Sequence, residues 1–307
     1  MLLDSQALAE IERYATGLAW QAGAMLSDYF NHPLCVRYKG KHPGDDPVTE
    51  ADREVEAFLV REIHGTFPEH NIVGEEETNT DDRNSPLTWV IDPLDGTTNF
   101  LNGLPLYACS IALLCHGKPV IGSVFLPWPN QHRGRVLHAR SGGGAWENDQ
   151  PLTVSDATTP QAGRVMVLSG LDSTGLKPTG TLARQMGEKR SVGSIAYELA
   201  LVATGRYQYA FFGSPRIWDI AAGVVLVKEA GGMLLNYVPR NANWSELENV
   251  TSTKTNRFPD PPSLRAWTRP TLAGNPNIVR HVSSNLSPRR SSTVRSRLKS
   301  SRANPDY

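Results

Sequence analysis

The sequence predicts an α+β protein built in layers, and three observations lead to this prediction. Apolar residues recur at helical spacing through residues 5 to 30. Between residues 107 and 146, β-rich runs follow one another with short polar turns between them. From about residue 150 onward, strand and helix patterns alternate. We therefore expect an N-terminal α+β subdomain over residues 1–149 and a C-terminal α/β subdomain over residues 150–287.

Composition places the chain among proteins with a large hydrophobic core. It has 307 residues, of which 39% are hydrophobic. Apolar runs reach about eight residues, well below the roughly 20 that a membrane helix needs. Acidic residues near the N-terminus argue against a signal peptide. Three cysteines without C-x-x-C spacing predict reduced thiols, so we expect a cytoplasmic protein with no membrane partner.

The C-terminal end differs from the rest of the chain. Residues 288–307 hold six Arg or Lys, one Asp and almost no large apolar side chain. This composition predicts a disordered basic tail that is solvated. The alternative is that the tail makes weak contact with nucleic acid or another anionic surface; apart from that, we expect no nucleic-acid partner.

The N-terminal elements follow in order. An amphipathic helix over residues 5 to 30 should cover one face of a sheet, and Val36 to Lys41 should form a strand that leads into a polar loop at 42–46. Thr49 and Asp52 fit a capping box that opens a helix ending at Gly65.

A carboxylate run follows the next predicted strand, Asn71 to Gly74. Glu75, Glu76 and Glu77 repel one another, so either all three are solvated or a cation neutralises at least one of them.

Two further carboxylates follow a short buried strand, Trp89 to Ile91. Asp92 and Asp95 are separated by Pro93 and Leu94, and no Lys or Arg lies between Arg83 and Lys118. A divalent cation is the simplest local counter-charge, and the Leu94 carbonyl can face the same point. Because all these ligands are hard oxygens, the pattern favours Mg²⁺ over Zn²⁺.

An anion site is expected beside this cation. If a helical turn begins at Gly96, Thr97 and Thr98, its free N–H groups and positive dipole end favour an anion. The alternative is that Asp-Pro and Asp-Gly are ordinary turn dipeptides. A metal next to an anion site indicates phosphate chemistry.

The remaining elements complete the prediction. We expect two hairpins, at 107–126 and 136–146; strands at 164–168, 189–192 and 207–212; helices at 178–186, 194–204 and 218–231; a surface excursion at 241–268; and a closing strand and helix start at 270–279.

Two long motifs resemble the signatures of the inositol monophosphatase family of Mg²⁺-dependent, lithium-sensitive phosphatases. They are DPLDGTTNF, beginning at Asp92, and WDIAAGVVLVKEAGG, beginning at Trp218, and the likeness covers roughly residues 5 to 285. The resemblance implies a layered α-β-α-β-α sandwich of the inositol monophosphatase and fructose-1,6-bisphosphatase type. It also implies two to three Mg²⁺ ions and a homodimer.

The resemblance also implies roles for individual residues. The metal ligands would be Glu75, Asp92, the Leu94 carbonyl, Asp95 and Asp219. Asp52 would help Glu75 hold an additional ion and would hydrogen-bond Thr97, although helix capping alone explains an Asp at both 52 and 219. Glu75 and Thr97 would orient the attacking water. The phosphate contacts would be Asp95, Gly96, Thr97 and Thr98.

On the substrate side, the resemblance places Gly193, Ser194 and Ala196 against the alcohol portion of the substrate. Members that prefer inositol phosphate carry an acidic residue where this chain has Phe212, which cannot accept a hydrogen bond. Arg216 could instead attract a second phosphate or a carboxylate. The alternative is that Phe212 is only a buried strand end.

The expected function is Mg²⁺-dependent hydrolysis of a small phosphorylated metabolite, either inositol monophosphate-like or a sugar phosphate. Fructose-1,6-bisphosphatase, histidinol-phosphatase and 3′(2′),5′-bisphosphate nucleotidase activities are alternatives on the same fold. An alternative of another class is a non-catalytic protein that binds phosphate or nucleic acid.

Overall fold

Two β-sheets with helices on three levels form the fold. The computed structural model describes residues 3–30, 32, 35–38, 47–76, 84–127, 134–238, 243–250 and 260–289. The helices are α1 Ser5–Tyr29, α2 Glu50–Thr66, α3 Thr97–Leu101, α4 Ile195–Ala203, α5 Ile217–Glu229, α6 Pro261–Arg265 and α7 Pro276–Ser284. The predicted loop at 42–46 and Glu77 lie outside the described residues.

The strands are β1 Val36–Tyr38, β2 Pro47–Thr49, β3 Asn71–Gly74, β4 Leu87–Asp95, β5 Ala108–Cys115, β6 Lys118–Leu126, β7 Arg135–Arg140, β8 Ala145–Glu147, β9 Gln150–Pro151, β10 Val165–Ser169, β11 Leu176–Pro178, β12 Glu188–Lys189, β13 Tyr209–Phe212, β14 Met233–Val238, β15 Asn243–Glu246, β16 Thr271–Gly274 and β17 Leu286–Pro288. Two short pairs, β1 with β2 and β11 with β17, stand apart from the main sheets.

The first main sheet has seven strands in the order β3-β4-β5-β6-β7-β8-β9. Its strands pair antiparallel except for β3 and β4, which run parallel and end with Gly74 opposite Ile91. Parallel strands present their carboxyl ends at the same edge of a sheet. The residues that follow Gly74 and Ile91, namely Glu75 and Asp92, are therefore neighbours.

The second main sheet has six strands in the order β12-β10-β13-β16-β14-β15. α4 and α5 lie between this sheet and the first one, since both helices contact strands of both sheets. α5 carries apolar side chains nearly all round and is buried, as the sequence predicts.

Three apolar cores give the order of the layers. One core joins α1 and α2 to the outer face of the first sheet, a second fills the space between the sheets around α4 and α5, and a third joins α7 to the outer face of the second sheet. The order is α-β-α-β-α, which confirms the predicted fold class.

Close backbone approach fixes the position of α5 on the first sheet. A Cβ atom added to Gly122 of β6 would lie 2.4 Å from the carbonyl oxygen of Ala222 in α5, closer than real Cβ contacts allow. Only glycine at position 122 permits this spacing, and the spacing in turn sets where the first turn of α5 lies.

The strand expected at 189–192 is only the two-residue β12, Glu188–Lys189. The C-terminal half also departs from the prediction in one helix. Residues 178–186 do not form it, because β11 ends at Pro178 and Gly180 adopts a left-handed φ of 56°. Isolated helical hydrogen bonds, such as Gln185 N to the Thr181 carbonyl, leave only turns there.

The predicted surface excursion at 241–268 is also wrong in its described part. β15 pairs with β14 at the edge of the second sheet. Leu264 and Trp267 are 1% and 6% exposed and belong to the core between the sheets. Residues 251–259 lie outside the described residues.

The remaining points of comparison with the prediction are smaller. α2 runs one residue past Gly65, to Thr66. The described fold continues beyond residue 287, since Pro288 pairs in β17 and the Arg289 guanidinium contacts Asp172. The remainder of the predicted basic tail, residues 290–307, lies outside the described residues. In the described ranges, no helix combines the length and apolar character that crossing a membrane requires.

Candidate metal and phosphate site

Acidic side chains from three elements converge at one edge of the first sheet. Glu75 follows β3, Asp92 and Asp95 lie at the end of β4, and Asp219 lies in the first turn of α5. Asp92 experiences repulsion from the other three carboxylates, and Asp52 of α2 experiences repulsion from Glu75. The structure therefore brings together the acidic residues that the sequence singles out as candidate ligands.

Burial strongly affects these carboxylates. It raises the pKa of Asp92 and of Asp95 well above the ordinary range, and repulsion from neighbouring carboxylates adds to the rise. It also raises the pKa of Asp219 to about 7 and that of Asp52 to about 6, against hydrogen bonds that favour the ionised forms. Groups of this kind take up either protons or a cation.

Asp92 shows most directly where a cation fits. Its side chain is buried, and Oδ1 accepts a hydrogen bond of 3.0 Å from the Leu94 amide. Its other oxygen, Oδ2, is buried and has no hydrogen-bond partner within the described part of the chain. A buried carboxylate oxygen without a partner is costly, and a divalent cation would compensate it.

Asp95 connects the first sheet to the second half of the chain. Its Oδ2 accepts hydrogen bonds from Ser194 Oγ at 2.8 Å and from the Ala196 amide at 2.5 Å. Asn99 reinforces this junction, because its Nδ2 donates to the Val192 carbonyl at 2.6 Å. Two of the predicted substrate contacts, Ser194 and Ala196, thus lie directly against a candidate metal ligand.

Asp52 combines the two roles that the sequence left open. It completes the capping box of α2 with Thr49, and its Oδ2 accepts from both the amide and the hydroxyl of Thr49. Its Oδ1 accepts a hydrogen bond of 3.1 Å from Thr97 Oγ1, which also lies 3.1 Å from the Leu94 carbonyl oxygen. Capping and contact with Thr97 therefore coexist.

The predicted helical turn after Asp95 is present. Gly96 precedes α3 with a left-handed φ of 94°, and the Phe100 amide donates to the Gly96 carbonyl at 3.1 Å. A Cβ atom on Gly96 would lie 3.0 Å from the Leu106 carbonyl oxygen, so both conformation and space favour glycine there. Thr97 and Thr98 form the first turn of the short helix.

The arrangement suits Mg²⁺ in donor type, charge and burial, because all the candidate ligands are hard oxygens. In the side-chain positions of the described residues, no three Asp, Glu, His or Cys side chains are close enough together to hold one ion. The Leu94 carbonyl oxygen, which accepts from Thr97 Oγ1, is a further backbone oxygen beside these side chains. The charge and burial of the cluster, together with the unpartnered Asp92 Oδ2 among the described residues, favour a cation here.

The remaining substrate-side residues lie at the end of β13, before α4 and at the start of α5. Phe212 is 1% exposed at the end of β13 and packs in the core between the sheets. Arg216 is exposed, and its amide donates to Asp219 Oδ2 at 2.8 Å. Gly193 precedes Ser194 with a left-handed φ of 80°. The burial of Phe212 agrees with the alternative of a buried strand end and leaves almost no side-chain surface for a substrate to contact. Contacts of Gly193 and Arg216 with a substrate stay predictions.

Residues 7–258 match the profile of the inositol monophosphatase family. The chain belongs to this family. It is 34% identical over 228 residues to an inositol-1-monophosphatase of Mesorhizobium japonicum, which covers 70% of this chain and 81% of the relative. It is 31% identical over 277 residues to Nus factor SuhB of Escherichia coli, with 89% and 94% covered.

Two other comparisons involve Thermotoga maritima. A fructose-1,6-bisphosphatase/inositol-1-monophosphatase is 38% identical over 201 residues, which are 64% of this chain and 74% of the relative. A solved IMPase structure superposes with a TM-score of 0.68 at 28% identity, covering 89% of this chain and 94% of that one. The relatives therefore share the family and the fold, but their names differ in substrate and in role.

Two residues near the cluster of this inositol monophosphatase family member are not among the site residues predicted from the sequence. Glu56 Oε2 accepts a hydrogen bond of 2.9 Å from the Glu76 amide. Arg265 of α6 donates to the carbonyl oxygens of Gly74, Glu75 and Glu76. Glu56 could have been found, because it follows Asp52 by four residues on the same helix. Arg265 could not, because its partners lie about 190 residues away.

Proposed function

We propose that this member of the inositol monophosphatase family is a Mg²⁺-dependent phosphatase that hydrolyses a small phosphate monoester. The observation that carries the proposal is Asp92, a buried carboxylate with an unpartnered oxygen among the described residues, surrounded by Glu75, Asp95 and Asp219. Such a cluster is costly unless a cation or protons neutralise it. The free amides in the first turn of α3, directly after Asp95, support an anion site beside that cation.

Each residue of the cluster has a role in the proposal. Glu75, Asp92, the Leu94 carbonyl, Asp95 and Asp219 would hold two ions, and Asp52 would help Glu75 hold a third. When bound, Mg²⁺ polarises the phosphoryl group and lowers the pKa of the attacking water.

The chain's own groups would then orient the reaction. Thr97, paired with Asp52, would hold the water together with Glu75 and pass its proton towards these carboxylates. The amides of Gly96, Thr97 and Thr98 would bind the phosphoryl oxygens as negative charge builds up on them.

Phe212 and Arg216 bear on the class of substrate. We propose that myo-inositol 1-phosphate is not strongly preferred over other sugar or polyol phosphates. Inositol-preferring members carry an acidic residue where this chain has Phe212, a buried apolar residue, so this position offers no acceptor to a ring hydroxyl. Loss of one such contact lowers discrimination by roughly ten- to a hundredfold. Arg216 supports a substrate with a second anionic group.

The test is a phosphate-release assay with and without Mg²⁺, over a panel of inositol, sugar, histidinol and nucleotide monophosphates and bisphosphates. Asp95→Asn should lower turnover by about a thousandfold with the fold retained, because it removes one charge from the cluster. Asp156→Asn, at an exposed position, is the matched control. Near-normal activity of Asp95→Asn would contradict the site.

A second candidate function deserves a direct test because several relatives carry the name Nus factor SuhB. In that case the chain would act by binding and not by hydrolysis. Absence of phosphate release from every member of the panel, with Mg²⁺ binding intact, would favour it. The same preparation can be checked for a homodimer by light scattering and for inhibition by Li⁺ at high Mg²⁺, both of which we propose from the family.

A further inference from the structure

Arg265 lies between two segments that supply candidate metal ligands. Its guanidinium donates through Nη1 to the Gly74 carbonyl and through Nη2 to the carbonyls of Glu75 at 3.0 Å and Glu76 at 3.3 Å. Its Cζ also lies 5.4 Å from the centre of the Trp218 ring. Glu75 and Asp219 are the two candidate ligands adjoining these contacts, one in each half of the chain.

The carbonyls in question belong to the end of a strand. The ladder between β3 and β4 ends at Gly74, so the backbone from Gly74 to Glu76 must find hydrogen-bond partners elsewhere. Arg265 provides donors in a rigid planar fork, which matches several acceptors at once and which a lysine ammonium cannot reproduce. This contact restricts how the backbone carries the Glu75 side chain towards Asp92.

The segment after β3 also has a hydrogen-bond partner on its amide side. The Glu76 amide donates to Glu56 Oε2 of α2 at 2.9 Å, and the Glu56 side chain is buried. The segment after β3 is thus held by a carboxylate on its amide side and by a guanidinium on its carbonyl side. Such bracketing is expected where a side chain must keep a fixed direction.

α6 holds Arg265 firmly enough for this role. Asp260 caps the helix by accepting from the Ser263 amide at 2.7 Å, and Pro261 occupies its first position. Leu264 and Trp267, on either side of Arg265, are buried in the core between the sheets. A bridge between Thr268 and Arg216 ties the next residues to the start of α5.

We propose that Arg265 is a positioning residue for the metal cluster. Its hydrogen bonds to the backbone after β3 set the direction of the Glu75 side chain. Its stacking on Trp218 keeps this segment in a fixed position relative to the first turn of α5, which carries Asp219. The inference rests on the proposed Mg²⁺ site and goes beyond it, because it makes α6 part of the site's architecture.

The test measures Mg²⁺ binding by titration calorimetry on the full chain without substrate. Arg265→Lys keeps the charge but removes the fork, and Arg265→Ala removes both. We expect both changes to weaken Mg²⁺ binding about tenfold or more, the usual effect of losing a group that orients a metal ligand. KM for the phosphate ester at saturating Mg²⁺ should stay within about twofold.

Arg269→Lys and Arg269→Ala are the matched controls, four residues further along the chain, and should leave Mg²⁺ affinity unchanged. Thermal melts of all variants show whether each has folded, and the milder lysine variant keeps the test valid if the alanine variant does not fold. Unchanged Mg²⁺ affinity in Arg265→Lys, with only a lower melting temperature, would overturn the proposal and leave Arg265 a purely stabilising residue.

Failure of this inference differs from failure of the proposed function. A wild-type chain that binds Mg²⁺ but releases no phosphate would contradict the phosphatase proposal, while the calorimetric comparison of Arg265 variants would still hold. An active wild type whose Arg265→Lys variant binds Mg²⁺ normally would contradict only the positioning role.

Discussion

The hydroxyl of Thr97 donates a hydrogen bond of 3.1 Å to Oδ1 of Asp52. It thereby joins the first turn of α3 to the first turn of α2, two elements separated by a β-strand pair in the chain. Asp52 is buried, and burial raises its pKa to about 6 although hydrogen bonds from Thr49 and Thr97 oppose the rise. The pair is therefore both a structural link and a group that titrates near neutral pH.

Thr97→Val should test this link, because it keeps the shape of the side chain and removes the donor. We expect turnover on a phosphate ester to fall about a hundredfold or more, as for loss of a group that orients a proton transfer. The pKa of Asp52 is higher in the folded chain than in the unfolded chain. Its contribution to the free energy of unfolding is therefore fully present at low pH and is lost as the pH rises through about 6. Without the Thr97 hydroxyl, ionised Asp52 has one hydrogen bond fewer, so this loss of stability at higher pH is larger in the variant than in the wild type.

The measurement is a series of thermal melts of the metal-free protein from about pH 4.5 to about pH 8. The variant should be destabilised more at the upper end of this range than at the lower end. Thr97→Ser, which keeps the hydroxyl, is the control. A destabilisation that does not change with pH would show that Thr97 does not stabilise ionised Asp52.

Glu198 provides a second pH-dependent prediction. It lies in the first turn of α4, the helix that Ser194 caps. Burial raises its pKa to about 7, although hydrogen bonds from Val192, Ser191 and Gly193 partly offset the effect. The contribution of Glu198 to the free energy of unfolding is therefore lost as the pH rises through about 7. Because glutamine does not titrate, the stability of Glu198→Gln relative to the wild type should be higher at about pH 8 than at about pH 6. Equal differences in melting temperature at both pH values would contradict the raised pKa.

Gly122 offers a test of how closely α5 packs on the first sheet. A Cβ atom there meets backbone atoms of Ala222, which cannot move aside cheaply. Gly122→Ala should cost about 1 to 3 kcal/mol of unfolding free energy and displace α5 together with Asp219. Gly17→Ala is the matched control, since nothing lies within 4 Å of that position in α1. It should raise stability by about 0.5 to 1 kcal/mol in denaturant titrations.

Two truncations distinguish the packed end of the chain from the basic tail. Removing residues 290–307 should leave the melting temperature unchanged, since that stretch has almost no large apolar residue to bury. Removing residues 285–307 also deletes β17, including the buried Leu286. We expect this longer truncation to cost at least about 1.5 kcal/mol. Equal melting temperatures for the two truncated chains would contradict a stabilising role of β17.

Local signals in the sequence predict much of the fold and the acidic cluster. The box of Thr49 and Asp52 marks the start of α2, the turn at Gly96 marks α3, and the alternating runs after residue 107 mark the hairpins. These features depend on residues close together in the chain, so periodicity and turn chemistry suffice. Glu75 and Asp92 also lie directly after the last paired residues of β3 and β4, so the parallel pairing of these strands brings them together.

Contacts between distant segments could not be predicted in this way. Arg265 follows a Pro-rich stretch that resembles a surface loop, and only the assembled fold places its side chain on the end of β3. Glu12 of α1 likewise meets His138 and Arg140 of β7 across more than a hundred residues. The helix expected at 178–186 failed for a related reason, because its N-terminal flank, β11, pairs with β17 more than a hundred residues later in the chain.

The hydrogen bonds from Ser194 and Ala196 to Asp95 carry a consequence for synthesis of the protein. A ribosome-bound chain that has emerged only through the seven-stranded sheet already contains Asp92 and Asp95, but it lacks the two donors that orient Asp95 and the carboxylate of Asp219. On the proposed assignment, such a nascent chain has an acidic cluster with no means of hydrolysing phosphate. Activity then begins only after α4 and α5 have docked, so the order of translation delays catalysis until the chain through Glu229, the end of α5, has been made and folded.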